Sequence, residues 1–299
     1  MSSAIEKATI LSQALPYIQK YDNKIVVIKY GGNAMENEQL KQNVMQDVVL
    51  LTQVGVKLVL VHGGGPDINA TLKQMHIESH FVNGLRVTDQ ETMNVVQMVL
   101  AGKTNKNLVN MISMLHAKAV GITGMDGYII KASQKDPELG CVGQIDEIDP
   151  ELIFKLIDDG YIPVIASVGC DAHGNVYNVN ADMAASAIAG ALGAENMIFV
   201  SNVPGVLKDQ NDPHSLIRKI PVSEISELEK AVESNNKLLL SVERLALSME
   251  NMQKEQADQG ERLEKLESRD GENWRKLVGY IVTTVVGIII GFLFKQIGM

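Results

Sequence analysis

Lys29 closes an apolar run over residues 25–32 (IVVIKYGG), just before two glycines. A second run, 58–66 (LVLVHGGGP), stops the same way, in three glycines and a proline. The chemistry these residue types can do is the handling of anions. Glycine after a strand lets backbone N–H groups approach a ligand with no Cβ in the way. A proline suits the first position of a following helix, whose N-terminus favours negative charge. Lys29, Gly31, Gly32 and Gly63–Gly65 therefore outline a site for phosphates, although either stretch alone also reads as an ordinary turn. In 83–89 (NGLRVTD), Arg86 lies between Leu85 and Val87. A guanidinium there suits a bidentate grip on a carboxylate, or a surface ion pair. In 176–191 (VYNVNADMAASAIAGA), Asn178, Asn180 and Asp182 alternate with Val179 and Ala181 ahead of an alanine-rich helix. Helix capping explains one of these three; the others are left to face a ligand.

The elements that must position these residues follow from periodicity. Continuous β-branched runs suit strands of a parallel sheet buried on both faces. The spacing predicts strands at 25–30, 58–61, 119–123, 161–167 and 197–200. It predicts helices at 4–21 (kinked at Pro16), 37–53, 66–75, 91–102, 105–116, 150–159 and after residue 180. Segments 124–131 and 136–143 read as hairpin-like turns. Strands alternating with helices predict an open α/β/α sandwich with a mainly parallel sheet. Ligands in such folds bind outside the carboxyl ends of the strands, where Lys29, the glycine turns, Asn178 and Asn202 fall. The glycines match neither the dinucleotide fingerprint nor the P-loop.

Composition narrows the partners. The 299 residues carry a net charge of −9 with no basic cluster, which argues against nucleic acid. Aromatics are only 4%, so the core must be aliphatic and methionine-rich. Cys141 and Cys170 lack metal-site or redox spacing and suit a reducing cytosol. An early acidic residue and no long apolar run exclude a signal peptide at the start. The other end differs. Apolar positions 238, 242, 245, 249, 252, 263 and 266 step by fours and threes around a polar centre at Gln256 and Gln259, a coiled-coil pattern that a single amphipathic helix would share. Residues 277–294 are uncharged and span about 27 Å as a helix, enough for a bilayer core.

From about 4 to 228 the chain resembles the N-acetylglutamate kinases of the amino acid kinase family. KYGGNAM, HGGGP, NGLRVTD, AGKTNKNLV, YNVNADMAA and SNVPGVL stand in that family's order and spacing. The resemblance implies transfer of the ATP γ-phosphoryl group to the side-chain carboxylate of N-acetyl-L-glutamate, in arginine biosynthesis. By that likeness Lys29 stabilises the transition state and Asp182 orients lysines. Gly31 and Gly32 hold phosphoryl oxygens, while Gly64 and Gly65 hold acceptor oxygens. Arg86 and Asn178 hold the α-carboxylate side of the acceptor, and Asn202, Val203, Pro204, Gly205, Val206 and Leu207 line the nucleotide pocket. Mg²⁺ is carried on the ATP phosphates, and no protein metal site is implied. The start, IEKATILSQALPYIQKYDNK, is similar to the extra N-terminal helix of hexameric members, which implies a homo-oligomer.

Two departures shape the expectation. Asn202 stands where the family usually has aspartate, and no second lysine after a glycine pair follows residue 230. Losing one pre-placed cation from a phosphoryl-transfer site costs several kcal/mol of barrier, so turnover is expected to be weak. Residues 231–273 and 274–299 resemble the coiled coil and membrane span of haemolysin XhlA-like lysis proteins. The alternative expectation is therefore an inactive kinase-fold binding module on a membrane tail, otherwise a cytoplasmic enzyme tethered by 277–294.

Overall fold

The computed structural model describes residues 4–35, 37–82, 84–201, 205–209, 212, 214–221, 279, 280 and 283. The coiled-coil expectation for 231–273 lies outside them, as do Asn202, Val203 and Pro204 and all but three residues of the proposed span. Among the described residues no helix is long and apolar enough to cross a membrane. Backbone contacts divide the chain into two units, Met1–Leu216 and Ile217–Met299; the first carries the fold described here.

In chain order its elements are α1 (Ala4–Tyr21), β1 (Ile25–Tyr30), α2 (Glu38–Gln53), β2 (Lys57–His62), α3 (Gly65–Gln74), β3 (Phe81–Val82), β4 (Leu85–Arg86) and α4 (Gln90–Gln97). A π-helical turn, Met98–Thr104, runs into α5 (Asn105–Met114). Then come β5 (Ala119–Thr123), β6 (Ile130–Gln134), β7 (Val142–Ile148), α6 (Glu151–Asp158), β8 (Ile162–Ala166), β9 (Val168–Cys170), β10 (Val176–Val179), α7 (Ala181–Ala191) and β11 (Asn196–Val200). Five strands form a parallel sheet in the order β11-β1-β2-β8-β5.

Alternation along the strands sends side chains to two cores. Val26, Ile28, Leu58 and Leu60 meet α2 and α5 through Met45, Val48, Leu108 and Ile112. Val27, Val59 and Val61 meet α6 and α7 through Ile153, Ile157, Ala184 and Ile188. The alanines of α7 are small enough for the helix to lie close on the sheet. The same parity decides the chemistry: Lys29 falls on the α7 side and His62 on the α5 side.

The sandwich expectation holds, with two differences. Segments 124–131 and 136–143, read as hairpin-like turns, contribute to β6 and β7, which close with β9 and β10 into a small barrel. Neither segment shows a simple alternation: the turn at Gly140 separates β6 from β7, and their register shifts between Lys131 and Ala132. The expected helix at 91–102 breaks into α4 and the π turn, although the apolar spacing is unchanged. Helix α1 runs through Pro16 without ending there.

Candidate active site

Outside the carboxyl ends of β1 and β2 lies a cavity of about 340 Å³. It is lined by Lys29, Gly31, Gly32, Gly63, Gly64, Gly65, Arg86, Asn178 and Asp182, together with Asn180, Ser167 and apolar groups from Ile68, Phe81, Leu85, Leu100 and Val142. Ten residues singled out by the sequence, Asn180 among them, are thus gathered in one place. Gly205, Val206 and Leu207 do not line it; Leu207 bridges to Leu216 instead.

Lys29 ends β1 on the face that α7 covers, and Asp182 sits in the first turn of α7. Their Nζ and Oδ1 atoms are 2.9 Å apart, with the lysine side chain 15% exposed and the aspartate 53%. A Cβ on Gly31 would lie 3.3 Å from Lys29 Nζ, so the ammonium folds over the first glycine turn. Asn180 proves to be the cap of α7: its Oδ1 accepts from the N–H groups of Asp182 and Met183. That frees Asn178 and Asp182, on either side of the cap, to line the cavity.

The second glycine turn starts α3. Gly64 is its cap residue, no side chain caps it, and Pro66 lies in the first turn. An uncapped, proline-led helix start presents N–H donors to an anion. A Cβ on Gly64 would come 2.6 Å from Leu100 Cδ2 and 3.3 Å from Thr104 Oγ1, so the π turn packs directly on the glycine. Thr104 Oγ1 donates to Asp67 Oδ2 at 2.8 Å, and Lys103 Nζ lies 3.1 Å from Asp67 Oδ1. Burial pushes the Asp67 carboxyl up, but these two partners outweigh it and hold the group below its ordinary value.

Beneath the turn, His62 is fully buried. Its Nδ1 meets the Gly63 carbonyl at 2.8 Å and its Nε2 meets Asn105 Nδ2 at 3.0 Å. The Asn105 amide also reaches the carbonyls of Ile122 and Val164, tying β2, β5 and β8 together under the site. Burial lowers the His62 pKa to about 4, so the ring is neutral: Nδ1–H donates and Nε2 accepts. Sequence reading gave no role to His62, Asp67, Lys103, Thr104 or Asn105, although His62 falls in HGGGP and Lys103, Thr104 and Asn105 in AGKTNKNLV. The signal available was AGKT, whose Lys-Thr pair closes the apolar stretch 98–102.

At the far end, Arg86 is 7% exposed and makes no ion pair among the described residues, so the surface ion-pair reading is overturned. Asn178 Nδ2 donates to Thr88 Oγ1 at 3.2 Å, which itself donates to the Arg86 carbonyl at 2.8 Å. One end of the cavity thus carries an ammonium and glycine donors, the other a guanidinium and an amide. The arrangement suits an acid held by its far end with its near end against a phosphoryl group.

Fold and site define a phosphoryl-handling α/β protein. A model of the amino acid kinase family matches residues 24–249, and the chain belongs to that family. Acetylglutamate kinase of Brachyspira hyodysenteriae is 52% identical over 227 residues, covering 75% of this chain and 79% of that one. Acetylglutamate kinase of Carboxydothermus hydrogenoformans is 47% identical over 239 residues, covering 76% and 81%. Among solved structures, smu.665 from Streptococcus mutans UA159 superposes with a TM-score of 0.62 at 30% identity, over 70% of this chain and 83% of that one.

Proposed function

We propose that the protein is an acetylglutamate kinase. The observation that carries the reading is the single cavity that joins the Lys29–Asp182 pair and two glycine turns to Arg86 and Asn178. The relatives named above carry that activity in their names. An oxygen of the acceptor's side-chain carboxylate attacks the γ-phosphorus of ATP. The bond from that phosphorus to the β-bridging oxygen breaks, leaving ADP and an acyl phosphate. Such a transfer needs positioning and charge neutralisation more than covalent help. Lys29, held by Asp182, faces the moving phosphoryl oxygens. Backbone N–H groups of Gly31 and Gly32 hold those oxygens, and Gly64 and Gly65 hold the attacking carboxylate. Arg86 and Asn178 grip the α-carboxylate side. Gly205, Val206 and Leu207, with Asn202, Val203 and Pro204, belong to the nucleotide side. The donor set suits phosphate oxygens, and Mg²⁺ supplies charge neutralisation from the nucleotide's own phosphates.

ADP release with N-acetyl-L-glutamate tests the reading. Lys29→Ala should slow it about 10²- to 10³-fold, the usual loss when one transition-state donor is removed; equal rates in the two proteins would overturn it. A second reading, a binding module with little or no turnover, is favoured by one observation: among the described residues Lys29 is the single lysine lining the cavity. Acetylglutamate binding without ADP release would select it.

Exposed Ile5, Ile10, Leu11, Leu15 and Tyr17 on α1 support assembly of identical chains. The apolar run 277–294 supports tethering of a cytoplasmic enzyme to a membrane; release by carbonate extraction would overturn the tether.

A further inference from the structure

Among the described residues, Arg86 is held in place by neutral groups alone. Its Nη1 donates to Ser79 Oγ, its Nη2 donates to Asn69 Oδ1 at 2.6 Å, and its guanidinium carbon lies 4.6 Å from the centre of the Phe81 ring. A buried cation is ordinarily paired with a carboxylate, because removing it from water is costly. Here burial alone lowers the guanidinium from its ordinary value, and no acid among the described residues compensates it. The acids nearby in the chain are engaged elsewhere. Asp67 is taken by Lys103 and Thr104, Asp89 accepts from the Thr92 N–H, and Glu78 lies in solvent beside His80. Two of the five guanidinium N–H donors are used, which leaves donors and the whole charge for a ligand.

We propose that Asn69 and Ser79 are positioning residues that fix the Arg86 guanidinium through uncharged oxygens, so that its charge stays uncancelled for the carboxylate of a bound acid. This rests on the cavity being an acid site, as read above. Asparagine rather than aspartate at position 69 is the telling feature. An aspartate has the same shape and would make a stronger bond to Arg86, but it would cancel the charge that the ligand needs. Stability is forgone for binding, a known trade at functional sites.

The test is Asn69→Asp, read by calorimetric titration with N-acetyl-L-glutamate, by thermal unfolding, and by ADP release. The variant should melt at the same temperature as the parent or higher, and lose affinity roughly 100-fold, as charge-pair disruptions do. Asn69→Ala, which removes the hydrogen bond but leaves the charge, should lose affinity only about tenfold. The acceptor with its α-carboxylate replaced by an amide should bind parent and Asn69→Asp equally. If Asn69→Asp does not fold, Ser79→Asp places the same charge from the loop side and should give the same loss. Parent-like affinity in the aspartate variant overturns the proposal, as does an equal loss in Asn69→Ala. A parent that fails to bind acetylglutamate also overturns it. A parent that binds and responds to Asn69→Asp but releases no ADP supports the positioning role while overturning the phosphotransfer reading.

Discussion

His62 sits next to the cavity-lining glycines of the second turn, yet it faces the opposite core, because strand alternation turns it toward α5. Its pKa is about 4 in the fold against an ordinary 6.5. A buried neutral histidine lowers stability in acid, since the unfolded chain takes up the proton first. The contribution is complete above pH 6.5, declines as pH falls through 6.5 toward 4, and amounts to about 3 kcal/mol when fully lost. Asp67 and Asp171, whose carboxyls are held low, add their losses only below the ordinary carboxylate range. Urea midpoints between pH 7 and 4.5 should therefore fall in the parent and stay nearly flat in His62→Gln. The residue scale is also where the sequence was most legible. Lys29, Arg86, Asn178 and Asp182 were all picked out by type and context and all line one cavity, although Arg86 also read as a surface ion pair and one of Asn178, Asn180 and Asp182 as a helix cap.

Elements decide whether those side chains meet. Thr88, which accepts the Asn178 amide, is held by the turn before β7: its N–H donates to the Leu139 carbonyl, and the Cys141 N–H donates to the Thr88 carbonyl at 2.6 Å. Gly140 makes that turn at φ +68°, and a Cβ there would run into the Thr88 carbonyl. Gly140→Ala should thus cost about 2 kcal/mol or more in urea unfolding, and weaken acetylglutamate binding by displacing Thr88 under Asn178. Unchanged affinity in a folded variant would show that the strap does not govern the site. Sequence patterning recognised a turn here but not its purpose, since the partner, Thr88, lies far back along the chain. The π turn at 98–104 was hidden for a related reason. An extra residue in a helical ladder leaves the apolar spacing intact, while packing of Leu100 and Thr104 on Gly64 selects it.

At the largest scale, the described residues leave large apolar side chains open to solvent. Helix α1 leaves Ile5, Ile10, Leu11, Leu15 and Tyr17 exposed, and β11 leaves Phe199 half open at the sheet edge. An apolar helix face of this kind marks an interaction surface. Sedimentation should show self-association of the full chain, and Leu11→Glu with Leu15→Glu should shift it toward the monomer while melting temperature changes little. The parallel α/β architecture was determined by the sequence itself, because continuous β-branched runs ending in glycine and alternating with helices admit few other structures. What only the tertiary structure decided is the pairing across distance: Asn180 as the cap between two cavity-lining neighbours, Asp67 against Lys103 and Thr104 of the π turn, Asn69 against Arg86. These depend on which face of a helix or strand meets which neighbour, and that is fixed by packing the layers together rather than by any local pattern.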